Sequence, residues 1–167
     1  MEIYDSLLGA VCDEYDRVTL IKKSERGEVT LIRHRASGNR YIFRHFSGSS
    51  EVYRKLLTVS CPNLPQIMEV GEKEGKTALL EEYVQGDTLG EILQGGLLTA
   101  AQAKQITRQL CMALWVLHSL GVVHRDVKPD NVIIRGTEAV LIDFDASRIY
   151  KNENREDTCL LYTSPSP

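Results

Sequence analysis

No run of basic residues occurs in this chain of 167 residues, and its formal net charge is −3. Nucleic acid or an anionic membrane is therefore disfavoured as a main partner, because both are recognised by clustered Lys and Arg. No apolar stretch is long enough to span a bilayer; the longest, Leu110 to Val123, is broken by His118, Ser119 and Gly121. The opening MEIYDSLLGAVCDEYDR has acids where a secretion signal needs basic residues, and its apolar part is too short. The four cysteines (Cys12, Cys61, Cys111 and Cys159) are far apart and form no CxxC pair. That usage points to reduced thiols in a cytoplasmic protein.

What is present is ordinary for a soluble globular protein: 43% hydrophobic and 26% charged residues. The length allows one domain with a real core, or part of a larger one. Residues 3–12 suit a short helix. From Val18 to Phe46 the chain reads as strands: VTLIKK, EVTLIRH and RYIFRHF are rich in β-branched and aromatic residues, with turns at SERG and at Ala36–Asn39. Ser49 or Ser50 is placed to cap a helix that opens with Glu51 and runs through YRKLLTV until Pro62 and Pro65. Two further strands, QIMEVGEKE and KTALLEEYV, flank a turn at Gly75, and Gly86-Asp87 ends the sheet pattern.

The second half opens helically. After Thr99 as cap, Ile106, Leu110, Ala113, Leu114 and Leu117 recur at three- and four-residue steps up to Gly121. Short apolar strands follow at Val132–Ile134 and Val140–Ile142, joined by the turn Arg135-Gly136-Thr137. A sheet-rich first half with one lone helix and a helical second half imply two lobes meeting near Tyr83 to Gly86.

Chemistry concentrates in His124-Arg125-Asp126-Val127-Lys128-Pro129-Asp130-Asn131, followed by Asp143-Phe144-Asp145 at the end of an apolar strand. Taken singly, Asp126 and Asn131 could simply cap turns, as Asx residues commonly do. Taken together, the segment resembles the catalytic loop of eukaryotic-type, bacterial-like serine/threonine protein kinases, H-R-D-x-x-x-x-N, and Asp143 stands where that family has its D-F-G. The resemblance implies Asp126 as catalytic base and Asn131 and Asp143 as ligands of Mg²⁺, with ATP as phosphate donor and a protein Ser or Thr hydroxyl as acceptor. Lys128, two residues after the catalytic Asp, marks the serine/threonine class, where it contacts the transferred phosphate; its plainer reading is a solvated lysine.

The same resemblance assigns nucleotide contacts upstream. Leu80-Glu81-Glu82-Tyr83-Val84 is similar to the hinge that reads adenine through backbone groups of Glu82 and Val84, although an ordinary strand end has the same look. Asp87 falls where the ribose hydroxyls would be met, or caps a helix. IKKSERGEV occupies the place of the glycine-rich phosphate loop and supplies Gly27 and Val29, but Lys22 and Ser24 replace its first two glycines. Arg44, in YIFR, stands for the phosphate-pairing lysine of V-A-I-K, and that exchange is not conservative. Glu51 is the candidate for its helix glutamate, although the strict match falls on Val52, and an acid in a first helical turn is also favoured by the dipole alone. Glu81 sits at the back of the nucleotide pocket, where the family usually has an apolar residue or threonine. A carboxylate there would be costly if unpaired, and Arg44 on the neighbouring strand is the obvious cation. Asp145 replaces the D-F-G glycine.

The expected fold class is α+β: a protein-kinase-like two-lobe fold with an antiparallel β-sheet N-lobe carrying one main helix and an incomplete, mainly helical C-lobe. Residues 1–84 form the N-lobe, with 1–14 as an N-terminal extension, and 85–158 a partial C-lobe cut off inside its activation segment. Residues 159–167, CLLYTSPSP, resemble translated sequencing-adapter sequence; a flexible Ser/Pro tail is the alternative. The expected activity is ATP-dependent serine/threonine phosphorylation by the intact gene product, the fragment itself being inactive. The alternatives are a pseudokinase that binds nucleotide or partners, and a small-molecule phosphotransferase of the aminoglycoside-kinase type.

Overall fold

Two short turns and one longer one join neighbouring strands of the first half. The computed structural model describes residues 3–150, and the chain divides into two compact units, Met1–Gln85 and Gly86–Pro167. In the first unit β1 (Tyr15–Ser24), β2 (Gly27–His34), β3 (Arg40–Ser47), β4 (Ile67–Lys73) and β5 (Lys76–Glu82) form an antiparallel sheet in the order β1-β2-β3-β5-β4. The two residues between β4 and β5, Glu74 and Gly75, both have positive φ (50° and 72°). That twist is the one a two-residue hairpin needs to keep its strands in a right-handed ladder. Between β2 and β3 the Ser37 hydroxyl meets His34 Nδ1 at 2.9 Å, closing the longer turn.

Alternation along the strands then gives the sheet two buried faces. One is covered by α1 (Ile3–Glu14), whose Tyr4, Leu7 and Val11 pack on Ile32, Phe43, Ala78 and Leu80. The helix lies so close that a Cβ on Gly71 would be 2.5 Å from the Tyr4 Cα, and the Tyr4 hydroxyl meets His45 Nε2 at 2.7 Å. The other face carries Leu31, Ile42, Arg44, Leu79 and Glu81, all buried.

The helix after Ser50, α2 (Glu51–Leu56), is shorter than its sequence pattern suggests. The β-branched Thr58 and Val59 do not extend it; instead the Val59 N–H donates back to Leu56 O at 3.0 Å and closes the last turn. Neither serine caps it in the expected way. The Ser50 N–H and hydroxyl both donate to Glu72 Oε2, at 2.9 and 2.6 Å, and Ser49 Oγ accepts only from Glu51 N, at 3.2 Å.

The second unit begins with β6 (Asp87–Thr88), α3 (Leu89–Gly95) and the long α4 (Ala100–Ser119). Both helices start in complete capping boxes, Thr88 with Glu91 and Thr99 with Gln102, so four orphan N-terminal donors are satisfied locally. The helix-cap alternative for Asp87 is thereby taken by its neighbour. Next come β7 (Val122–Val123), a 3₁₀ turn (Pro129–Asn131), β8 (Val132–Arg135), β9 (Glu138–Leu141) and β10 (Arg148–Ile149). β8 pairs with β6 and β9, and β7 with β10. Ala113 and Leu117 of α4 are fully buried, as are Val122, Ala139, Val140 and Leu141. Among the described residues no helix is long and apolar enough to cross a membrane. The adapter-like tail, 159–167, and the segment leading to it from 151 lie outside the described residues.

Candidate active site

His124 organises the loop in the second unit. It is 1% exposed. Its Nε2 lies 3.0 Å from the carbonyl of Ile142, while Nδ1 accepts from the Asp126 N–H at 3.3 Å. A carbonyl can only accept and an N–H only donate, so both bonds are met by one species, the neutral imidazole with its proton on Nε2. Burial pushes its pKa below the ordinary value, in agreement with that tautomer. The ring also packs edge-on against Phe144, centroids 5.4 Å apart, and Phe144 is buried. His124 thus ties the loop to the residues on both sides of Asp143. The motif alone does not disclose this role for His124.

Around Asp126 two side chains converge. Asn131 Nδ2 donates to Asp126 Oδ2 at 2.9 Å and to its backbone O at 2.8 Å, and Lys128 Nζ lies 2.9 Å from Oδ2. The 3₁₀ turn makes this possible: Pro129 suits its first position, and the Asn131 N–H donates to Lys128 O at 3.0 Å. Lys128 first, and Asn131 after it, holds the Asp126 carboxyl below the usual carboxylate range. Lys128 is raised in turn by the same bond. Asn131 O accepts from Ile142 N at 2.9 Å, so the loop is joined by backbone to the residue before Asp143. Arg125 and Asp143 have φ of 69° and 66°, left-handed values that non-glycine residues hold only when their surroundings enforce them.

In the first unit, Arg44 and Glu81 meet. The register pairs Ile42 with Glu81 and Arg44 with Leu79, so Arg44 and Glu81 are diagonal neighbours on one face. Arg44 Nε donates to Glu81 Oε1 at 2.9 Å, and the side chains are 7% and 5% exposed. Glu51 is not brought to this pair; it is exposed at the start of α2, beside Arg54 and Glu72.

Val29 stands opposite Arg44 across the β2–β3 ladder. Gly27 has a reason of its own, since a Cβ there would fall 2.2 Å from the His45 carbonyl oxygen. The glycine is required by strand approach alone. Lys22 and Ser24, the glycine-loop replacements, belong to the β1 ladder, opposite Val29 and Gly27. Glu82 ends β5 with its N–H on Gln66 O at 2.8 Å and its carboxylate accepting from Gln66 N at 3.1 Å. Val84 is buried just beyond, and Asp87 is exposed on β6 in the second unit.

The family model described as protein kinase domain matches residues 17–165. The chain belongs to the protein kinase domain family. Over 100 residues this kinase domain is 35% identical to serine/threonine-protein kinase pkn2 of Myxococcus xanthus, which covers 58% of the chain and 12% of that protein. It is 38% identical over 85 residues to serine/threonine-protein kinase D of Synechocystis (50% of the chain, 16% of that protein). It is 34% identical over 101 residues to human testis-specific serine/threonine-protein kinase 3 (59% and 38%). The chain thus spans well under half the length of each of these relatives. Its fold matches that of Rad53, residues 1–466, solved with AMP-PNP, at a TM-score of 0.69 and 22% identity, covering 80% of this chain and 39% of that one. The family implies ATP as a substrate and usually Mg²⁺. The α1 helix precedes the first residue that the family model matches.

Proposed function

We propose that the protein carrying this chain is an ATP-dependent serine/threonine protein kinase acting on protein hydroxyls in the cytoplasm. The observation that supports this most is the Asp126–Lys128–Asn131 cluster, a carboxylate held ionised by a neighbouring ammonium and amide while still about 40% exposed. Asp126 orients the acceptor hydroxyl and takes its proton as the hydroxyl oxygen bonds to the γ-phosphorus; the bond to the bridging oxygen breaks and ADP leaves. Lys128 steadies Asp126 and contacts the phosphate in transit. Adenine is read by backbone groups of Glu82 and Val84, the ribose by Asp87, and the phosphates by Arg44 under the hairpin bearing Gly27 and Val29.

The donor set fits Mg²⁺. Asn131 uses its amide nitrogen on Asp126, and among the described residues nothing donates to its Oδ1. An amide oxygen and the Asp143 carboxylate are hard ligands of the kind a magnesium ion accepts while keeping several waters. When bound there, the ion neutralises charge on the phosphates.

The test is transfer of labelled γ-phosphate from Mg-ATP to a generic substrate protein by the full-length protein, followed by phosphoamino-acid analysis. Label on Ser or Thr, lost in Asp126→Asn, is the expected result. Phosphotyrosine as sole product, or label surviving that substitution, would sink the assignment. Nucleotide binding without transfer would instead favour a pseudokinase.

A further inference from the structure

Kinases usually hold the strand cation that meets the phosphates with a glutamate from the adjoining helix. Here the acid that opens α2, Glu51, is exposed, and α2 has only six residues. Arg44 meets a carboxylate from the sheet itself. Glu81 is two positions along β5 from the residue opposite Arg44, on the same buried face. We infer that Glu81 is the positioning residue for Arg44, replacing the helix glutamate, so that readiness of the phosphate-binding cation is set by the β3–β5 register rather than by the placement of α2. This rests on the proposed reading of Arg44 as a nucleotide-binding residue.

Three features carry it beyond coincidence. The Nε–Oε1 contact is short and almost fully desolvated, and removing one member of such a pair is costly. Arginine suits the arrangement, since its Nε–H leaves the stem sideways toward a carboxylate two positions along the neighbouring strand, a donor that lysine lacks. And β3 and β5 are joined by an unbroken seven-pair ladder from Tyr41 to Ser47, which fixes the spacing of the two Cα atoms. A cation held in this way does not depend on helix motion, so the protein would lack the helix-in, helix-out control that a strand–helix pair allows.

The test combines affinity for Mg-ATP, the kcat and KM of phosphate transfer, and thermal unfolding of the full-length protein. Glu81→Gln keeps the shape and one acceptor while removing the charge. It is expected to raise KM for ATP about tenfold, with kcat changed less than threefold, as befits loss of ground-state phosphate binding. Arg44→Met/Glu81→Met, which removes both charges together, is expected to unfold close to the wild-type temperature yet bind Mg-ATP at least tenfold more weakly. Wild-type ATP affinity in that double variant would show the pair to be purely structural and overturn the inference. So would a rise in KM from Glu51→Gln that Glu81→Gln does not reproduce. Failure of the wild-type protein to bind Mg-ATP at all would remove the functional reading, and this inference with it.

Discussion

The loop from His124 to Asn131 and the buried face of β3 and β5 each hold a carboxylate against a cation at 2.9 Å, in opposite surroundings. Asp126 and Lys128 have side chains 40% and 48% exposed; Glu81 and Arg44 keep 5% and 7%. Coulomb attraction between the first two is screened by water, so their meeting contributes little to stability and both remain accessible to a substrate. The second two lie where the attraction is strong, but so is the desolvation that opposes it, and neither is expendable alone. The loop matches the family pattern residue by residue, while the sheet departs from it at two residues that touch each other. A solvated site tolerates a pair that is loosely held; a buried one requires any change of charge to be matched by its partner.

That contrast breaks most visibly in catalysis. Asp126→Asn should lower phosphate transfer by about 10²–10⁴, the range for losing a positioned general base, measured as single-turnover transfer from labelled ATP. The unfolding midpoint in urea should move far less, because the side chain is largely exposed.

The next effect falls on the sheet. Arg44→Met or Glu81→Met alone breaks a buried ion pair and should destabilise by about 3–5 kcal/mol. The double variant should recover most of that loss. A double-mutant cycle by urea denaturation reads the coupling directly, and additive losses would show that the two residues do not act as a pair.

A smaller, pH-dependent effect comes from His124. Burial lowers its pKa in the folded state, so on acidification the unfolded chain takes up the proton first. The stability this neutral histidine contributes is complete above the unfolded pKa of roughly 6.5 and is lost as pH falls below it. The urea midpoint should therefore drop between about pH 7 and pH 5, and His124→Gln, which does not titrate, should flatten that slope.

Least is expected of Lys128 in stability. Lys128→Ala should leave the unfolding midpoint unchanged, since the ammonium is solvent-screened. It should still move the acid limb of the kcat/KM profile to higher pH. Lys128 is the main group holding the Asp126 carboxyl below its ordinary range, and without it the base protonates earlier on acidification. A shift of that limb to lower pH would contradict the assigned direction.

Much of the candidate site was legible in the residues because it is local. Asp126, Lys128 and Asn131 lie within six positions, and a 3₁₀ turn begun by Pro129 suffices to bring them together. The cap at Thr99, the turn at Gly75 and the periodicity of α4 are likewise short-range signals that the fold obeys. The end of α2 was less legible: Pro62 marks an outer limit, but the reverse bond from Val59 to Leu56 closes the helix earlier.

Sequence by itself determined the family, the strand–turn–strand order, the identity of the loop carboxylate and the presence of two unusual charges, Arg44 and Glu81, on neighbouring strands. Only the tertiary structure decided which acid meets Arg44, because Glu51 and Glu81 are both plausible until the β3–β5 register places Ile42 opposite Glu81. It likewise decided the tautomer of His124, through a carbonyl eighteen residues away. The docking of α1 was settled in the same way, at the point where Gly71 admits Tyr4. The physical reason is common to all three. Turns, caps and helical stripes are set by interactions a few residues apart, whereas the partner of a buried charge is chosen by which strands lie side by side, and that is a property of the whole sheet.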